Sequence, residues 1–165
     1  MTENILAKLF EHNNWANLQI IQVCSALSNE QLDAEPQSAT KGSIRLTLLH
    51  LAAVQRGYLS LLTPPVEART QAPLGFAELA ESVSSSGEAL LALTRAEPDK
   101  RLKTQLQTTD GYYVAPWVVM VQIINHATEH REQICSMLNT LGVTPPNLDG
   151  WSYGEATNAL IPISA

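Results

Sequence analysis

Between Pro116 and Gly142 the chain carries neither proline nor glycine, and apolar residues return once per helical turn at Val119, Ile123, Ile134, Met137 and Leu141. This is one buried face of a long helix over residues 116–141, with Pro116 suited to its first turn and Gly142 to the position just past its end. Such a face has to be covered by other elements of a packed domain. Two members of the same stripe are His126 and His130. A buried imidazole must be hydrogen-bonded, or its lone pair must be bound by something such as a metal.

Three further segments supply the covering faces. Residues 3–27 place Leu6, Leu9, Asn13, Ala16, Ile20, Val23 and Leu27 on one stripe, which Ser28-Asn29 stops or interrupts and Pro36 closes off. Residues 43–62 start at Ser43, a good N-cap, and end before Thr63-Pro64-Pro65; they are apolar around much of the circumference and predict the most buried helix. Residues 75–95 turn Phe76, Leu79, Val83, Leu90 and Leu93 inward and Glu78, Glu81 and Glu88 outward, with Pro98 beyond. Between residues 101 and 114, alternation around Asp110-Gly111 predicts a short hairpin or extended loop before the fourth helix. The tail from Val143 reads as irregular, packing Trp151 and Tyr153 on the helices. The expected fold is an all-α four-helix bundle occupying residues 1–165 as one domain.

Charge narrows the partners. Ten Lys and Arg against sixteen Asp and Glu give a net charge of −6, so the clustered cations that bind nucleic acid are missing. No apolar run approaches the roughly 20 residues of a spanning helix, and the polar opening Met1-Thr2-Glu3-Asn4 does not read as a secretory signal. The expectation is a cytoplasmic protein with no nucleic-acid or membrane partner. Cys24 and Cys135 lie far apart, outside any CxxC pattern, and read as buried thiols.

A third histidine joins the pair. In the second helix Leu46, His50, Ala53, Gly57 and Leu61 fall on one inward face. An i, i+4 pair from one helix and a single ligand from another can give three nitrogens to one ion, leaving coordination positions open for chemistry. His50, His126 and His130 are that set; the alternative is three core rings, each hydrogen-bonded on its own. His12 sits at a helix flank and is expected to face solvent. His126-Ala127-Thr128-Glu129-His130 also spells H-x-x-E-H, in which Glu129 would be a general base, although a solvated glutamate is the plainer reading.

Asn14-Trp15-Ala16-Asn17, Leu48-Leu49-His50-Leu51, His126-x-x-x-His130-Arg131-x-Gln133, and Leu141-Gly142-Val143-Thr144-Pro145-Pro146 followed by Asp149 come in that order along the chain. Together they resemble the DinB/YfiT-like family of metalloenzymes over nearly the whole length. The resemblance implies an up-down-down-up bundle, a divalent metal on His50, His126 and His130, and a homodimer. Zinc or nickel would be the first expectation, with iron, copper or manganese also compatible. Some members of that family are S-transferases or isomerases that use a low-molecular-weight thiol. Where the family often has a histidine before the last ligand and a glycine after the arginine, this chain has Glu129 and Glu132.

The leading expectation is therefore a metal-dependent enzyme acting on a small molecule, with a thiol or water as the reactive species. Glu129 is its candidate base or ligand support, and Arg131 its candidate anion-facing group, unless Arg131 only forms a surface ion pair. A hydrolase using Glu129 and a non-enzymatic metal-binding module are the competing readings.

Overall fold

The computed structural model describes residues 4–36, 42–63, 73–95, 105–161 and 163. Helix α1 (Ile5–Ser25) is capped by Asn4, whose side chain accepts from the Ala7 N–H. Ser28 then caps a separate short helix α2 (Asn29–Asp33), with Gln31 completing the reciprocal capping box. Helix α3 (Ile44–Leu62) begins at Ser43, which accepts from the Leu46 N–H. A 3₁₀ turn (Phe76–Glu78) leads into α4 (Leu79–Arg95). Strands β1 (Leu106–Gln107) and β2 (Tyr113–Val114) pair antiparallel, Leu106 opposite Val114. Helix α5 (Pro116–Thr140) follows, and α6 (Gly150–Ala156) closes the chain. Gly142 takes φ +72, the left-handed conformation that suits a residue without Cβ, and lets the Val143 N–H turn back to the Leu138 carbonyl at 2.9 Å.

Helix directions follow from who meets whom. Asn4 at the start of α1 donates to the Thr94 carbonyl at the end of α4 (2.9 Å), so these two helices run antiparallel. Ile44 and Leu48, early in α3, share an apolar cluster with Leu79 and Val83, early in α4. Ile20 and Cys24, late in α1, join the same cluster as Ile134 and Met137, late in α5. The order is up-down-down-up for α1, α3, α4 and α5, as expected. α1 and α3 each pack against both α4 and α5.

The core is not continuous. That first cluster fills one end of the bundle, and a second, built on Phe10, Leu90, Leu91, Val119, Met120 and Ile123, fills the other. Between them lies a polar waist of Asn13, Asn14, Asn17, Gln55, Ser86, His130 and Arg131, all buried. Among the described residues no helix is long and apolar enough to cross a membrane.

Several expectations change. Leu9 is exposed, because α1 turns Phe10, Asn13, Asn17 and Ile20 inward instead. Helix α3 is not the most buried: His50, Ala53, Gly57 and Leu61 are half-buried, and its core stripe is Ile44, Leu48, Leu51, Ala52 and Gln55. The tail is not wholly irregular, since Asp149 caps α6 by accepting from the Ser152 N–H at 2.7 Å. Tyr153 packs as expected, but Trp151 is 74% exposed. The Pro64-Pro65 break, Pro98, Pro162 and the 101–104 part of the expected hairpin lie outside the described residues.

Candidate metal centre

His50 is carried by the middle of α3, and His126 and His130 by successive turns of α5, the two helices being packed together at the waist. Their rings converge edge-on and tilted, with centroids 4.3–5.1 Å apart. His126 Nε2 lies 3.2 Å from His50 Nε2 and 3.1 Å from His130 Nε2. One proton on a ring nitrogen can serve one of these contacts at a time, whereas one cation serves both at once. Ligand nitrogens about 2.0–2.1 Å from a common ion would stand roughly 3.0–3.4 Å from each other. Both distances from His126 match, all three ligand atoms lie within 4.8 Å of one another, and the three residues form the group of His, Cys, Asp and Glu able to hold a metal among the described residues.

The ligand set is supported from behind. The His130 Nδ1–H donates to Gln133 Oε1 at 2.8 Å, which fixes the tautomer and aims the Nε2 lone pair at the other two rings. Gln133 Nε2 in turn donates to Glu129 Oε1 at 3.4 Å. Glu129 is exposed, reaches His130 only through Gln133 among the contacts of the described residues, and is not part of the cluster of metal-capable groups. His130 is 4% exposed, while His50 and His126 are half-buried, so the cluster is closed below and accessible above.

Arg131 takes a different course. It is 3% exposed and turns toward α1, where Nη1 donates to Asn13 Oδ1 (2.9 Å) and Asn17 Oδ1 (2.6 Å) and Nη2 to Thr128 Oγ1 (2.9 Å). The network continues: Asn17 Nδ2 donates to Gln55 Oε1, and Gln55 Nε2 to the Val83 carbonyl and Ser86 Oγ. Burial lowers the guanidinium pKa to about 10, so it remains a cation at neutral pH. Arg131 thus ties α5 to α1, and through Asn17 and Gln55 to α3 and α4, rather than forming a surface ion pair.

Next to this network the buried Asn14 packs its Oδ1 against Gly87, where a Cβ would collide with it. The absence of a side chain at Gly87 allows α1 and α4 to approach closely.

Sequence reasoning named the three histidines and missed most of this support. The signal for it was Asn13, Asn14 and Asn17 on the inward side of α1, and Gln133 one turn beyond His130. His12 is not at the solvent-facing flank expected of it: its Nε2 lies 2.8 Å from the Leu148 carbonyl and its ring packs on Trp15 and Tyr153, holding the tail to α1. Cys24 is fully buried and Cys135 half-buried, and burial raises their thiol pKa values to about 12 and about 11. Both stay protonated at neutral pH and are poor nucleophiles.

The family model of the DinB family matches residues 1–162. No curated protein gives a significant match to the chain.

Proposed function

The chain belongs to the DinB family, and from that premise we propose that it is a metal-dependent enzyme in which His50, His126 and His130 hold one divalent ion. The carrying observation is the convergence of three Nε2 atoms from two helices, backed by the Gln133 contact to His130. Zinc or nickel suits the set first, and iron, copper or manganese also fits it. Three protein ligands leave coordination positions for a substrate. When bound, the ion supplies Lewis-acid chemistry, lowering the pKa of a thiol or water brought to it.

The reaction we infer is transfer to or from a low-molecular-weight thiol. Cys24 and Cys135 are held as neutral thiols by burial, so in such a transfer the thiol would be that of a small-molecule co-substrate and not one of the chain's own. A hydrolase would need the Glu129 carboxylate beside the reacting water, and that carboxylate faces Gln133 instead. The protein's own residues then have three tasks: His130 is held in one tautomer by Gln133, His50 and His126 complete the nitrogen set, and Arg131 fixes α5 against α1.

Cobalt(II) loading tests this reading. Adding 2-mercaptoethanol to the cobalt form should produce a sulfur-to-metal charge-transfer band in the near ultraviolet. If neither the thiol nor azide nor imidazole perturbs the visible spectrum, the site is closed and the non-enzymatic module is the better reading. Two free cysteines fit a reducing compartment such as the cytoplasm.

A homodimer is also proposed. Trp117 and Val121, one turn apart on α5, are 63% and 50% exposed, and Tyr112 and Tyr113 in the adjoining hairpin are also exposed. An apolar patch of this kind favours a second copy as its cover. Light scattering should give twice the chain mass for the native protein and the single mass for Trp117→Glu/Val121→Glu; a monomeric native protein would remove the proposal.

A further inference from the structure

Thr128, Arg131, Glu132 and Asn139 recur at helical spacing along α5 and form one wall of a cavity of about 520 Å³. His12 on α1 and the segment from Pro145 to Asp149 form the others. That segment is held in place, because His12 Nε2 lies 2.8 Å from the Leu148 carbonyl and Asp149 caps α6 through the Ser152 N–H. The volume is that of a pocket for one small molecule.

Arg131 is the buried charge of this wall. Its three hydrogen bonds, two from Nη1 and one from Nη2, leave the Nε–H and a second Nη2 N–H without a partner among the described residues. Among those residues, the unpartnered side-chain atom shut off from solvent is Asn14 Oδ1. Arg131 Nε is therefore unpartnered without being shut off, and it opens on the cavity that Arg131 lines. A guanidinium that is only 3% exposed and still has protons to give is placed to meet an acceptor brought from outside.

Opposite charge lines the same cavity, in the carboxylates of Glu132 and Asp149. The Leu148 carbonyl only accepts, so His12 Nε2 carries its proton and Nδ1 is the acceptor of the neutral ring. These groups do not form a second metal site, since the set with that geometry among the described residues is the three histidines. Arg131, Glu132 and Asp149 put one positive and two negative charges around the space. A simple anion would meet Arg131 but stand beside two carboxylates, and a simple cation would stand beside a buried guanidinium. A molecule carrying both charges meets a partner for each.

We infer that this cavity binds a zwitterionic small molecule of the amino-acid class, its carboxylate on the spare N–H groups of Arg131 and its ammonium toward Glu132 and Asp149. The site goes beyond the metal centre, since His50, His126 and His130 are not among the described residues that line it.

The test is ligand-observed NMR of the common L-amino acids with the purified native protein, then titration of the tightest binder, its N-acetyl derivative and its amide. At least one amino acid should bind, and at least about tenfold more tightly than either derivative, each of which lacks one charge. Glu132→Gln, at an exposed position, should weaken the amino acid by roughly fivefold and leave the N-acetyl derivative unchanged or tighter. Asn139→Trp, which fills the cavity from another exposed position, should weaken the amino acid by at least about tenfold. Circular dichroism should stay unchanged in both variants. No amino acid binding, equal or tighter binding of either derivative, or binding indifferent to either substitution would overturn the inference. Repeating the titration on His126→Ala/His130→Ala keeps the two sites apart. Binding that persists there and still responds to Glu132→Gln belongs to this cavity, whether or not the native protein holds metal. Binding lost with the histidines belongs to them and overturns the inference.

Discussion

On the α1 side of the waist Arg131 gives its protons to Asn13, Asn17 and Thr128, and the amides pass the bonding on to Gln55 and Ser86. On the α3 side of the same layer, His126 brings its Nε2 within 3.2 Å of two more Nε2 atoms, from His50 and His130. The first assembly is complementary, donor against acceptor, and its Arg131, Asn13, Asn17, Gln55 and Ser86 members are buried. The second sets like atoms against like and is accessible from outside. A polar group buried for stability finds its partner within the protein, whereas ring nitrogens gathered for chemistry point at a place where something else must come. One turn of α5 serves both, because His130 and Arg131 are neighbours in sequence and leave the helix on different sides.

The sharpest way to break the closed assembly is Arg131→Met. It leaves the Asn13 and Asn17 oxygens without their buried cation, and the native state should lose about 3–5 kcal/mol. Urea unfolding measures this, and metal bound per folded molecule should be unchanged. A variant as stable as the native protein would contradict the bracing role. Gln133→Ala acts on the other assembly. Loss of the contact that orients His130 should weaken metal affinity by about 10–100-fold, read by competition with a chromophoric chelator, while unfolding of the metal-free protein should shift by less than about 0.5 kcal/mol. The smallest effect is expected from Glu129→Gln. Among the described residues the exposed carboxylate hydrogen-bonds to Gln133, so metal affinity should change by less than about threefold, and the proposed S-transfer should persist. Abolished turnover with full metal content would instead place Glu129 in catalysis and favour the hydrolase.

How far the sequence revealed this contrast depends on what periodicity can detect. Apolar residues at helical spacing located the four main helices to within a few residues, and the same spacing made His126 and His130 stand out as polar members of a buried stripe. It placed α1 less well. With Asn14 and Asn17 at core positions beside Asn13, apolar spacing alone draws the stripe through Leu9 rather than Phe10, since polar core residues look like breaks in the apolar pattern. Arg131 reads from sequence as a surface or anion-facing group, because the Asn13 and Asn17 oxygens that accept from it lie more than a hundred positions away, which local pattern does not encode. Helix α6 was missed because Asp149-Gly150 reads equally as a turn or as an N-cap and first residue.

Elemental analysis of the purified native protein beside His126→Ala/His130→Ala, both after dialysis against the same zinc-buffered solution, tests the metal centre most directly. The account predicts about one equivalent of metal per native chain, the stoichiometry of a single three-nitrogen site, and none in the double variant, with both folded by circular dichroism. Equal metal in the two proteins, or none in either, would contradict it.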